Sequence, residues 1–115
     1  MDEIIRKVAA LGLPGVLLAI TIATTGFAGG AALTTALAAL GGPVGMLGGI
    51  AVLGVAGLVA DAVAKIGIEN FLVGVYCKRR INESHSSLLA EIRNLPVSQD
   101  LKNKLELVVR DGRGC

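Results

Sequence analysis

The chain has no tryptophan, one tyrosine and two phenylalanines, so a soluble core of this size would lack its usual bulky fillers. One histidine and two cysteines are too few for a clustered metal site, and Cys77 and Cys115 lie too far apart for a C-x-x-C redox pair. His85 stands between Ser84 and Ser86, but no acid or oxyanion site is placed to make a hydrolase of them. The glycine groups Gly26-x-x-Gly29-Gly30 and Gly41-Gly42-x-x-Gly45 follow no strand pattern and lack the lysine of a phosphate loop. These absences predict no enzyme, no cofactor and no metal. The net charge of +2, without a basic stripe interleaved with aromatics, likewise predicts no nucleic-acid partner. The absence that organises the rest is charge itself: from Val8 to Ala60 there is none.

What is present is apolar and small, with 53% hydrophobic residues and 16 glycines. An uncharged run longer than about 18 residues reads as a membrane span, because about 20 residues of helix cross the hydrocarbon layer. This run has room for two spans, with Gly41-Gly42-Pro43 as the turn, since paired glycines end a helix and proline opens the next. The expected fold is all-α: a membrane hairpin of two glycine-rich transmembrane helices over residues 1–80, with a short amphipathic lead, then a small amphipathic helical tail over 81–115. The first span runs from about Pro14 to Leu40, tilted or kinked near Gly26 and Gly29-Gly30. The second runs from about Val44 to Ala64 or, in a shifted register, ends nearer Tyr76. Arg6 and Lys7 before the run and Lys78, Arg79 and Arg80 after it put both termini in the cytoplasm under the positive-inside rule. A second reading of the same N-terminus is a secretory signal, with Leu11 to Thr24 as its apolar core.

Small residues recur at helical spacing. Gly26 and Gly30, then Ala28, Ala32 and Ala36, then Gly41, Gly45 and Gly49 form flat stripes of the kind along which helices pack closely in lipid, and they predict a homo-oligomer. Thr21, Thr24 and Thr25 either bond back to their own helix or line a pore. Asp61, Lys65 and Glu69, four apart and alternating in sign, form either a solvated ion-paired face or, inside a membrane, a lumen or inter-subunit pairs. Tyr76, Lys78, Arg79 and Arg80 have the composition of an interfacial finish at the headgroups. In the tail, Leu88, Leu89, Ile92 and Leu95 make one stripe that Pro96 stops. Ser98 is the expected N-cap of a last helix carrying Leu101, Leu105 and Val108, which Gly112 ends. The two cysteines read as reduced thiols, with Cys77 open to acylation beside the basic cluster.

The Ala/Gly-rich segment Leu13 to Ala60, broken at Gly41-Gly42-Pro43, resembles the hydrophobic helical hairpins of colicin-type and other small pore-forming proteins. The likeness is one of composition over less than half of the chain, and it carries over no functional residue. It implies a lipid bilayer as partner and self-assembly into a pore that permeabilises a membrane, in the manner of a toxin, holin or defence effector. The alternative expectation is a non-conducting membrane adaptor whose helical tail recruits a protein partner.

Overall fold

A computed structural model describes residues 2–25 and 42–115, with only the helical backbone given for 25 and 42–56. Every regular element among the described residues is helical: α1 (Asp2–Leu11), α2 (Leu13–Thr25), α3 (Gly42–Asn82), α4 (His85–Arg93) and α5 (Gln99–Asp111). Residues 26–41, which hold Gly26, Gly30, Ala28, Ala32, Ala36 and Gly41 of the small-residue stripes, lie outside the described residues, while Gly45 and Gly49 fall on the backbone of α3.

α1 is amphipathic, with Ile4, Ile5 and Val8 inward and Asp2 and Glu3 in its first turn, where carboxylates complement the helix dipole. Gly12 ends it in the left-handed region (φ 71), and its N–H donates to Ala9 O at 3.1 Å. Pro14 then sits in the first turn of α2, where no N–H is missed. Val16, Leu18, Ala19, Ile20 and Ile22 of α2 are all buried, as expected of a helix that is apolar nearly all round. The first half of the expected first span is thus packed against protein.

α3 is two helices joined at a break. Gly67 takes φ 82, ψ 156, a conformation essentially reserved to glycine. The Asn70 side-chain amide donates to Ile66 O at 2.8 Å, so the last carbonyl before the break keeps a partner. Beyond it, Phe71, Leu72, Val75 and Tyr76 are buried at the spacing of one helix face.

Both expected ends of α5 are found: Ser98 Oγ accepts from Leu101 N at its start, and Gly112 closes it by donating to Val108 O. Ser84 caps α4 in the same way, accepting from Ser87 N, so the chain breaks at Glu83-Ser84 before the tail helix begins. α1 and α2 pack on α3, and α5 packs on both α3 and α4. A single apolar cluster therefore runs from Ile4 to Val109, and residues 81–115 share it with the helices before them. Complete burial of side chains such as Ile92 and Leu105 stabilises by about 1.5–3 kcal/mol each.

The cysteines correct an expectation. Cys77 and Cys115 are joined, with Cα atoms 5.5 Å apart at a sequence separation of 38, and no free thiol remains. The α4–α5 hairpin folds the chain end back onto α3, a return that sequence distance conceals. Among the described residues no helix is long and apolar enough to cross a membrane.

Candidate functional site

Two arrangements stand out, one made of charge and one made of its absence. The first joins the end of α3 to α4. Arg79 is 4% exposed. Its Nε and Nη2 donate to Glu83 at 2.6 and 2.9 Å, and its Nη2 also donates to Glu91 Oε1 at 2.9 Å. Nη1 donates to Glu91 Oε2, which also accepts from the Tyr76 hydroxyl at 2.6 Å. The guanidinium lies 5.3 Å from the Tyr76 ring centroid, within cation–π range.

The cluster satisfies itself, and no buried side-chain polar atom among the described residues lacks a partner. Burial, then the bond to Glu91, pushes the Tyr76 phenol well above its ordinary pKa. Burial alone would lower the pKa of Arg79, but its bonds to Glu83 and Glu91 outweigh that and raise it. The bond from Arg79 holds Glu83 below the usual carboxylate range. Chemically this is a lock, with a permanently charged guanidinium between two carboxylates and a phenol that keeps its proton.

Tyr76 and Arg79, expected at a headgroup layer, are instead inside the protein, because carboxylates from α4 and the α3–α4 turn reach them before solvent does. The remaining two expected interfacial residues also join helices. Arg80 Nε donates to Val109 O at 3.1 Å at the end of α5, and Lys78 faces Asp2 of α1 at 3.8 Å. Glu83 at four residues from Arg79 was the signal available in the sequence, since that spacing places the pair on one helix face.

The second arrangement is the stretch between Gly12 and Gly67, the first two of the four positive-φ glycines among the described residues. The only charged residues in it are Asp61 and Lys65, which pair with each other at 3.0 Å on the surface, their side chains more than half exposed. Glu69, the third member of the alternating triplet, lies past the break and faces Lys104 of α5 at 3.6 Å. Thr21 and Thr24 donate to Leu17 O and Ile20 O, each at 2.8 Å, and Thr25 is the last residue of α2. The structure therefore keeps Asp61 with Lys65 and parts both from Glu69. His85 opens α4 at the surface, and no cluster of three or more His, Cys, Asp or Glu suited to a metal occurs among the described residues.

Comparison with known proteins finds no matching family model, no similar curated protein and no similar solved structure.

Proposed function

We propose that the chain permeabilises membranes through a helical hairpin drawn from residues 13–66, while α1 and residues 68–115 stay outside the bilayer as a folded body. The observation that supports this reading is the distribution of charge. Between Gly12 and Gly67 the only charges form a mutual ion pair, and the remaining charged residues lie on the flanks that make the body.

Chain length determines what must move. As one helix, residues 26–56 would reach about 46 Å, enough for one crossing of about 30 Å but not for two. Residues 13–40 and 44–66 would reach about 42 and 35 Å, so each is long enough. Two crossings therefore require α2 and the part of α3 before Gly67 to leave the core. Asp61 and Lys65 then fall near the end of the second span, where a lysine can snorkel to the headgroups. Thr21, Thr24 and Thr25 are candidates to line the lumen, and the small-residue stripes supply contacts between copies. Two spans return both termini to one side. The basic flanks select the cytoplasmic face, whereas a lasting disulfide belongs to an oxidising compartment. Alkylation of the protein as isolated, with thiols blocked at lysis, decides between them.

The test is dye release from liposomes on addition of the purified protein. Release that rises steeply with protein concentration is expected of an oligomer. Binding without release, across neutral and anionic lipids, contradicts permeabilisation and leaves the adaptor reading.

A further inference from the structure

Resting on that reading, we propose that Gly67 is the hinge at which α3 straightens when the chain enters a bilayer, with Gly12 as the second pivot. Three observations at Gly67 carry this. Its φ of 82 and ψ of 156 interrupt an otherwise continuous helix from Gly42 to Asn82, so rotation about one residue converts two helices into one. A Cβ built there meets nothing within 4 Å, so it is the backbone conformation, and not close packing, that calls for glycine at this point. The break also coincides with a boundary in charge. Before it, back to Gly12, the only charges are the Asp61–Lys65 pair, whereas Glu69 beyond it is tied to Lys104 of the body.

The halves on either side are suited to separate fates. Upstream, Val59 and Ala62 are buried and Val63 and Ile66 pack partly against the core, all surface that lipid could cover equally well. Downstream, α3 is tied to the body by the Arg79–Glu91 pair, the Arg80–Val109 bond and the Cys77–Cys115 disulfide. Gly12 (φ 71) occupies the corresponding place at the other end, between α1 and α2, with only Arg79 Nη2 near its built Cβ, at 3.9 Å.

Gly67→Ala separates backbone from packing. Alanine disfavours the positive-φ break and favours the continuous helix, so the balance between packed and straight forms shifts toward the straight one by about tenfold or more. Dye release should quicken by a similar factor. Asn103→Ala, at an exposed position of α5 in the body outside the hairpin, should leave the rate unchanged. A direct distance measurement does not depend on how the variant folds. Spin labels at Gly57→Cys and Ile81→Cys, both exposed, are attached with the native disulfide intact and read by pulsed EPR. In a straight α3 the two backbone positions lie about 36 Å apart, and the bent form must be shorter. Lengthening to that value on vesicle binding is the expected result. Vesicle-bound protein that releases dye while its label distance stays at the aqueous value overturns the hinge and leaves permeabilisation standing. Lengthening without dye release keeps the hinge and overturns permeabilisation, and neither change overturns both.

Discussion

Replacing Arg79 with methionine removes every guanidinium bond from Glu83 and Glu91 while keeping a side chain of similar reach. The two carboxylates respond differently. Glu91 has a side chain only 13% exposed, and Arg79 supplies a donor to each of its oxygens, so its charge is left inside the protein with the Tyr76 hydroxyl as its remaining donor. Breaking a buried pair in this way costs about 3–5 kcal/mol. Glu83 is 38% exposed and can rehydrate, so losing its partner adds no more than about 1 kcal/mol. A total near 4 kcal/mol corresponds to a fall in Tm of about 16 °C, at about 4 °C per kcal/mol for a domain of this size. The double variant Arg79→Met with Glu91→Met removes the stranded charge and should recover more than half of that loss, because apolar groups replace a buried pair at little net cost. Thermal and urea denaturation followed by far-ultraviolet circular dichroism measure both. A single variant costing under about 1 kcal/mol, or a double variant costing the sum of the two single ones, would refute the claim that the cluster is buried and mutually dependent.

The disulfide and the phenol give two further expectations. A bond closing a separation of 38 residues removes unfolded-state entropy worth about 4 kcal/mol in the chain-entropy model, so Cys115→Ser or a thiol reductant should lower Tm by roughly 15 °C. Two titratable thiols in the native protein under oxidising conditions would contradict the pairing. Tyr76 is the only tyrosine and tryptophan is absent, so the ultraviolet tyrosinate band reports this residue alone. Its pKa is raised on folding, so the unfolded chain loses the proton first and stability falls as pH rises past about 10. The band should appear only together with unfolding, and a reversible titration near pH 10 in the folded protein would place the hydroxyl in solvent. At the acid end, Glu83 has its pKa lowered, so its small contribution is present above the ordinary carboxylate range and lost as pH falls through the lowered value.

What could be read from the sequence was local. The amphipathic start at Ile4, Ile5 and Val8, the Ser98 cap and the Gly112 stop depend on residues within one or two turns, and the fold keeps them. What could not be read depends on distant partners. Tyr76, Lys78, Arg79 and Arg80 have the same composition whether they face headgroups or meet Glu91, Asp2 and Val109, because an amphipathic ring and a long cation suit both surroundings. The disulfide was hidden by its separation. Gly67 was hidden by company: one glycine among sixteen in a helical pattern is ordinarily tolerated as helix, and only its dihedral angles distinguish it. For α2, hydrophobicity alone does not separate a helix packed in protein from one packed in lipid. That ambiguity is what the proposed mechanism uses.

In the proposed insertion α2 leaves the core for lipid while α5 does not. Ala23 on α2, turned away from the face of Thr21 and Thr25, and Asn103 on α5 are both exposed, and the native cysteines are paired, so Ala23→Cys and Asn103→Cys each offer one labelling site. With a fluorophore on that site and quenchers on the acyl chains of the vesicles, strong quenching is expected at position 23 and little at 103 once the protein binds. No quenching at position 23, or equal quenching at both, would contradict the proposed insertion.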